Sequence, residues 1–93
     1  MELSTLRQQI DAVDEQLVAL FLQRMEIVKN VAQYKIDNNL PVFHADREQA
    51  VIEKARSRAP QEMADYVAEF FEAAMTVSRH MQQDLIDQSQ HQG

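Results

Sequence analysis

LSTLRQQIDAVDEQLVALFLQRMEIVKNVAQYK, residues 3–35, decides the fold. Its apolar residues keep a three-four spacing: Leu3, Leu6, Ile10, Val13, Leu17 and Leu20, then Ile27, Val31 and Tyr34. That is the a/d seam of a long helix, and Arg24 occupies the position in its middle where a leucine is expected. A guanidinium keeps its charge at physiological pH, so burying it requires an anionic partner. The partner is either a carboxylate of the protein or a carboxylate of a ligand. The plain alternative is that the head of Arg24 snorkels to solvent while its stem packs.

Lys35 lies eleven residues further on, about 16 Å along a helix and about 20° around it, so both cations share a face. Val28 and Val31 between them would form an apolar floor. Two cations on an apolar strip suit a compact ligand with carboxylates and a nonpolar body.

The rest of the chain also reads as helix, because helix formers dominate and no segment alternates as a strand does. The fold class is all-α with three helices. The first spans about Ser4 or Thr5 to Asp37 and ends in Asn38-Asn39-Leu40-Pro41, where Asn adopts a left-handed cap and Pro stops propagation. A second begins after Asp46, which forms a capping-box pattern with Gln49, and ends before Pro60. The third starts near Pro60 and runs to about Ile86, with Met63, Val67, Phe70, Ala74, Val77 and Met81 on one stripe. Residues 1–87 are expected to form one helical domain, and the polar tail 88–93 to be disordered.

Composition narrows the function. The chain of 93 residues has no cysteine, which excludes disulfides and thiolate metal sites and fits a reducing, cytoplasmic setting. The N-terminus lacks a signal-peptide pattern, and no apolar run approaches membrane-spanning length. His44, His80 and His91 show no metal-ligand spacing, and the one glycine, Gly93, leaves no phosphate loop. A formal net charge of −6 argues against nucleic acid. An acidic chain that nonetheless gathers Arg and Lys on apolar faces focuses positive potential on a small anion.

The first helix implies a second copy. About 32 residues span roughly 48 Å, whereas a compact globule of this size has a diameter of roughly 31 Å. One chain cannot cover such a seam, and a symmetric dimer is the commonest solution. Arg7 cannot join Arg24 and Lys35 within one chain, being about 25 Å from Arg24 along the axis. If two copies cross antiparallel near Leu20, Arg7 of one arrives beside Lys35 of the other, and each site uses both chains.

Further candidates lie on the other helices. Arg47 and Glu48 fall in the first turn of the second; Glu48 is explained by the helix dipole alone, but Arg47 runs against it. Ser78 and Gln82, one turn apart on the third helix, share a side with Phe71, Ala74 and Leu85, and when buried they need hydrogen-bond partners.

These residues carry a resemblance. LRQQIDAVDEQLVALFLQRMEIVKNVAQYK (6–35), NLPVFHADREQAVIEK (39–54) and the Ser78-x-x-x-Gln82 pair resemble the all-helical class of chorismate mutases over nearly the whole chain. The resemblance implies an intertwined helical homodimer that converts chorismate to prephenate, on the route to phenylalanine and tyrosine, with no cofactor and no metal. It implies that Arg7 of the neighbouring chain, Arg24, Arg47 and Lys35 hold the two carboxylates, with Ser78 assisting. Lys35 and Gln82 would donate to the ether oxygen, and Glu48 would accept from the ring hydroxyl. His44 stands where an acidic residue is often found and would act through its backbone. A pericyclic rearrangement needs no nucleophile and no acid–base step; it needs a confined dianion and donors aimed at the ether oxygen. An isochorismate pyruvate-lyase on the same scaffold and a non-catalytic dimerisation module are the rival readings.

Overall fold

The computed structural model describes residues 2–91. Three α-helices make up the chain: α1 (Leu3–Asp37), α2 (Ala45–Ser57) and α3 (Ala64–His91), with a 3₁₀ turn at Gln61–Met63 leading into α3. The shape is elongated, 58 × 27 × 14 Å with a radius of gyration of 16.6 Å, against about 12 Å for a globule of this length. The 35 residues of α1 cause the elongation, since at 1.5 Å each they extend about 52 Å.

Asn39 ends α1. With φ of 53° it takes the left-handed conformation, which Asn tolerates better than most residues. The reversal lets the Leu40 N–H donate to the Lys35 carbonyl at 2.8 Å and the Asn39 N–H to the Ile36 carbonyl at 3.3 Å. That is the two-bond closure of a Schellman motif, with Pro41 one residue beyond it.

α3 is the central element: α1 and α2 both pack on it and do not pack on each other. Ile52 of α2 and Ala68 and Met75 of α3 form the buried cluster, flanked by Val51, Phe71 and Ala74. The Arg56–Asp65 ion pair pins the turn between the two helices. α1 buries only Val28 and Ala32.

The expected seam does not meet α3. Leu3, Ile10, Val13, Leu17, Leu20, Ile27, Val31 and Tyr34 are all exposed, Leu20 at 62%. The stripe that packs is the neighbouring one, Arg24–Val28–Ala32–Lys35, so Ala32 rather than Val31 completes the floor between the two cations. Arg24 lies where the two stripes meet.

Helix ends differ from expectation in three places. α2 begins at Ala45 with His44 as an N-cap that makes no side-chain cap bond. Gln49 does not close a capping box with Asp46; its Nε2 donates to Glu53 at 2.9 Å. α3 continues to His91, through polar residues expected to fray; its last turns contain no Gly or Pro, the residues that would stop a helix. Gln92 and Gly93 lie outside the described residues. No helix among the described residues is long and apolar enough to cross a membrane.

The cap at Asn39 is open to test. Asn39→Gly should leave stability nearly unchanged, whereas Asn39→Val should lower it by about 1–2 kcal/mol, the cost of a β-branched residue in the left-handed region. Urea unfolding of both variants measures the difference.

Candidate active site

Arg24 resolves the question its position raises. Its Nη1 donates to Ser78 Oγ at 2.6 Å, and its Nη2 lies 4.0 Å from Met75 Sδ. Among the described residues it meets no carboxylate, and Glu48, the acid nearest the site, is engaged elsewhere. Ser78 is 5% exposed, and its hydroxyl proton goes to the Ala74 carbonyl at 2.8 Å. One lone pair and the proton of Ser78 are therefore oriented by the protein, and the guanidinium keeps its remaining N–H donors.

About three turns along the strip, Lys35 Nζ donates to Gln82 Oε1 at 2.7 Å and to the Val42 carbonyl at 2.8 Å. An ammonium carries three donors, so one remains. Gln82, 6% exposed, turns its oxygen to Lys35 and leaves its NH₂ group to donate. Ser78 and Gln82 are the only two polar side chains in the buried class among the described residues, and each meets one of the two cations of the strip. Burial pushes the Lys35 amine below its ordinary value of 10.5, and the charge of Glu48 partly offsets this. The site thus places Arg24, Lys35, Ser78 and Gln82 along one contact of α1 with α3.

The remaining expected residues sit differently. Glu48 is partly buried, its Oε2 3.1 Å from Arg79 Nε. His44 and Arg47 are exposed at the start of α2, and the His44 carbonyl accepts the Glu48 N–H at 3.1 Å. Arg7 is exposed near the far end of α1, and this chain does not bring it to the others. Sequence reasoning missed Arg79, the Val42 carbonyl and Phe43, whose ring lies beneath the Arg79 guanidinium at 5.1 Å. A cation following the Ser78 position was the only available signal.

Two grooves flank the strip. The larger, about 570 Å³, is walled by Leu17, Val18, Leu20 and Phe21 of α1 and by Phe70 and Val77 of α3, with Arg24 at its edge. It is the uncovered apolar face, and Lys35 and Gln82 do not line it. A smaller polar groove of about 370 Å³ lies between Lys29, Asn30 and Gln33 of α1 and Gln88 and Ser89 of α3. No group of three or more metal-ligating side chains occurs among the described residues.

The helical scaffold thus lines one part-buried strip with two cations and two oriented polar groups. The family model for chorismate mutase type II matches residues 6–83, and the chain belongs to that family. It is 32% identical over 88 residues to the T-protein of Haemophilus influenzae, covering 95% of this chain and 22% of that protein. To the bifunctional chorismate mutase/prephenate dehydratase of Escherichia coli K12 it is 33% identical over 88 residues, 92% of this chain and 23% of that one. The bifunctional chorismate mutase/prephenate dehydratase of Aquifex aeolicus shares 36% over 53 residues, 57% of this chain and 15% of that one. The chain thus spans under a quarter of the length of these curated relatives.

The Lys35 environment gives a direct expectation. Followed by NMR of its side-chain carbons, Lys35 should titrate below 10.5. Glu48→Gln should lower it further, because the one charge that raises it is removed while the burial stays. A rise in that variant would contradict the arrangement.

Proposed function

We propose that this chain rearranges chorismate to prephenate, serving phenylalanine and tyrosine formation, as a homodimer whose sites are shared between chains. The observation that carries the reading is Arg24: a cation at the mouth of a buried strip, hydrogen-bonded to a hydroxyl and compensated by no carboxylate of the described chain. A substrate carboxylate is the anion it lacks. Arg24 with Ser78, Arg47 of α2 and Arg7 of the second copy would clamp the two carboxylates. Their hold is similar in ground and transition states, so their chief effect is to confine a floppy dianion in the reactive chair.

Rate enhancement beyond confinement comes from Lys35 and Gln82. As the ether C–O bond stretches, negative charge grows on its oxygen, and the spare Lys35 N–H and the Gln82 amide are donors already oriented at low local dielectric. Glu48 would accept from the ring hydroxyl with the oxygen turned away from Arg79. His44 contributes through its backbone at the start of α2.

The second copy has a physical motive. The exposed seam and the 570 Å³ groove form one continuous apolar face along α1 and α3, which is larger than a lone chain usually leaves in water. An antiparallel partner crossing near Leu20 covers it and delivers Arg7 beside Lys35.

Two experiments test this reading. Purified protein should consume chorismate but not isochorismate, with acid conversion of the product to phenylpyruvate; lyase activity on isochorismate would overturn the assignment. Arg7→Ala and Lys35→Ala proteins, each inactive, should regain activity when mixed and allowed to exchange, because a mixed dimer rebuilds one intact site. No recovery after verified exchange would refute shared sites.

The clamp role of Arg24 is tested separately. Arg24→Leu should abolish turnover yet leave the melting temperature equal or higher, since replacing a buried charge by a packed hydrophobe is often neutral or stabilising. A marked fall in melting temperature would mean that Arg24 serves structure instead.

A further inference from the structure

Arg79 follows Ser78 on α3. Three neighbours engage its guanidinium: the Phe43 ring at 5.1 Å from Cζ, Thr76 Oγ1, which accepts from Nη2 at 3.3 Å, and Glu48 Oε2 at 3.1 Å from Nε. The Nε atom is sealed from solvent, and its approach to Glu48 is not aligned as a hydrogen bond. Charge therefore holds the pair, and with the Glu48 side chain only 18% exposed salt screens it weakly.

Glu48 stands between two cations. From α3 it faces Arg79, and from α1 it feels Lys35, whose amine it influences. Its own segment carries His44 and Arg47, both exposed. A carboxylate so placed pairs with whichever cation is better positioned. Arg79 is better positioned because the Phe43 face holds its planar head, an arrangement that suits arginine better than a compact ammonium. Phe43 is held in turn: the neighbouring Val42 carbonyl is bound by Lys35, so the loop between α1 and α2 is fastened from both sides.

We propose that Arg79 is a positioning residue that holds the Glu48 carboxylate off the Lys35 ammonium, keeping the spare Lys35 donor free for the substrate. This rests on the reading of Lys35 as the donor to the ether oxygen. Without Arg79, Glu48 turns to Lys35, the other cation within its influence, and the Lys35 donor is consumed within the protein before substrate arrives. Removing Glu48 as well leaves nothing to consume it. The arrangement therefore implies that a second substitution repairs the first.

The test compares wild-type protein, Arg79→Met and the double variant Arg79→Met/Glu48→Gln by two readouts, NMR titration of Lys35 and chorismate turnover. Arg79→Met should raise the Lys35 pKa and lower kcat about tenfold or more, short of the 10²–10³ typical of deleting an oriented donor, with a smaller effect on KM. Adding Glu48→Gln should bring the Lys35 pKa below the wild-type value and restore kcat severalfold over the single variant. A merely structural Arg79 would show no such repair. An unmoved Lys35 in Arg79→Met, or a double variant no faster than the single one, overturns the proposal. Arg79→Gln, more tolerant of partial exposure, serves with the same expected results if Arg79→Met does not fold. The titration needs no substrate, so an absence of chorismate turnover in wild-type protein would refute the activity while still leaving the Arg79 question decided by NMR.

Discussion

Lys35 joins the three segments from which the site is built. Its helix is α1, one of its protons goes to the carbonyl of Val42 in the loop before α2, and another to Gln82 of α3. Hydrogen bonds from a charged donor are about twice as strong as neutral ones, and these two are part-buried. They set how far α1 slides along α3 and where the loop carrying Phe43 and His44 lies. The Arg24–Ser78 contact, further back on the same face, then follows from helical geometry. A charge held this way is costly for a small domain, and the lowered Lys35 pKa reflects that cost.

The site contains more positive than negative charge along its buried strip, and this imbalance links architecture to chemistry. Among the site residues named above only Glu48 supplies negative charge, and it is matched to Arg79. Arg24 and the spare donor of Lys35 are left uncompensated by the described chain. Structural ion-pair networks close on themselves, as Arg56 does with Glu53 and Asp65. An open network in a partly buried place is the pattern expected of a binding site, and it is the feature on which the proposed function rests.

Much of this was legible in residues 3–35. The three-four spacing specifies a long helix, Pro41 and Pro60 mark the breaks, and Asn39 marks the left-handed cap. Arg24 and Lys35 were placed on one face, and Ser78 and Gln82 on a buried one, because helical angles follow from counting residues. Periodicity identifies an apolar stripe but not what covers it, so it could not reveal that α3 packs on Val28 and Ala32 and leaves the seam open. Ala32 is small, and its value is the close approach it permits. The Arg79–Glu48–Phe43 cluster was invisible for a related reason: its members come from three segments and meet only through the packing of α2 on α3. The extension of α3 to His91 goes beyond the expected end because Gln, Ser and His tolerate a helix once earlier turns have nucleated it, so polarity alone does not mark a helix end.

The two packed pairs of helices differ in how far their contacts reach along the chain. The turn between α2 and α3 is clasped by residues only nine apart, Arg56 and Asp65, whereas α1 meets α3 through pairs 47 and 54 apart. Closing a short loop costs less chain entropy than closing a long one. The α2–α3 hairpin is thus a local unit that can assemble early and offer a nucleus, with Ile52, Ala68 and Met75 already together. α1 forms along its own length from local bonds, and docking it requires the polar fastenings of Lys35 and Arg24 more than a large apolar gain. The residues proposed to bind the ligand are in this sense the last joint to close, so occupancy of the proposed site and completion of the fold would draw on the same free energy.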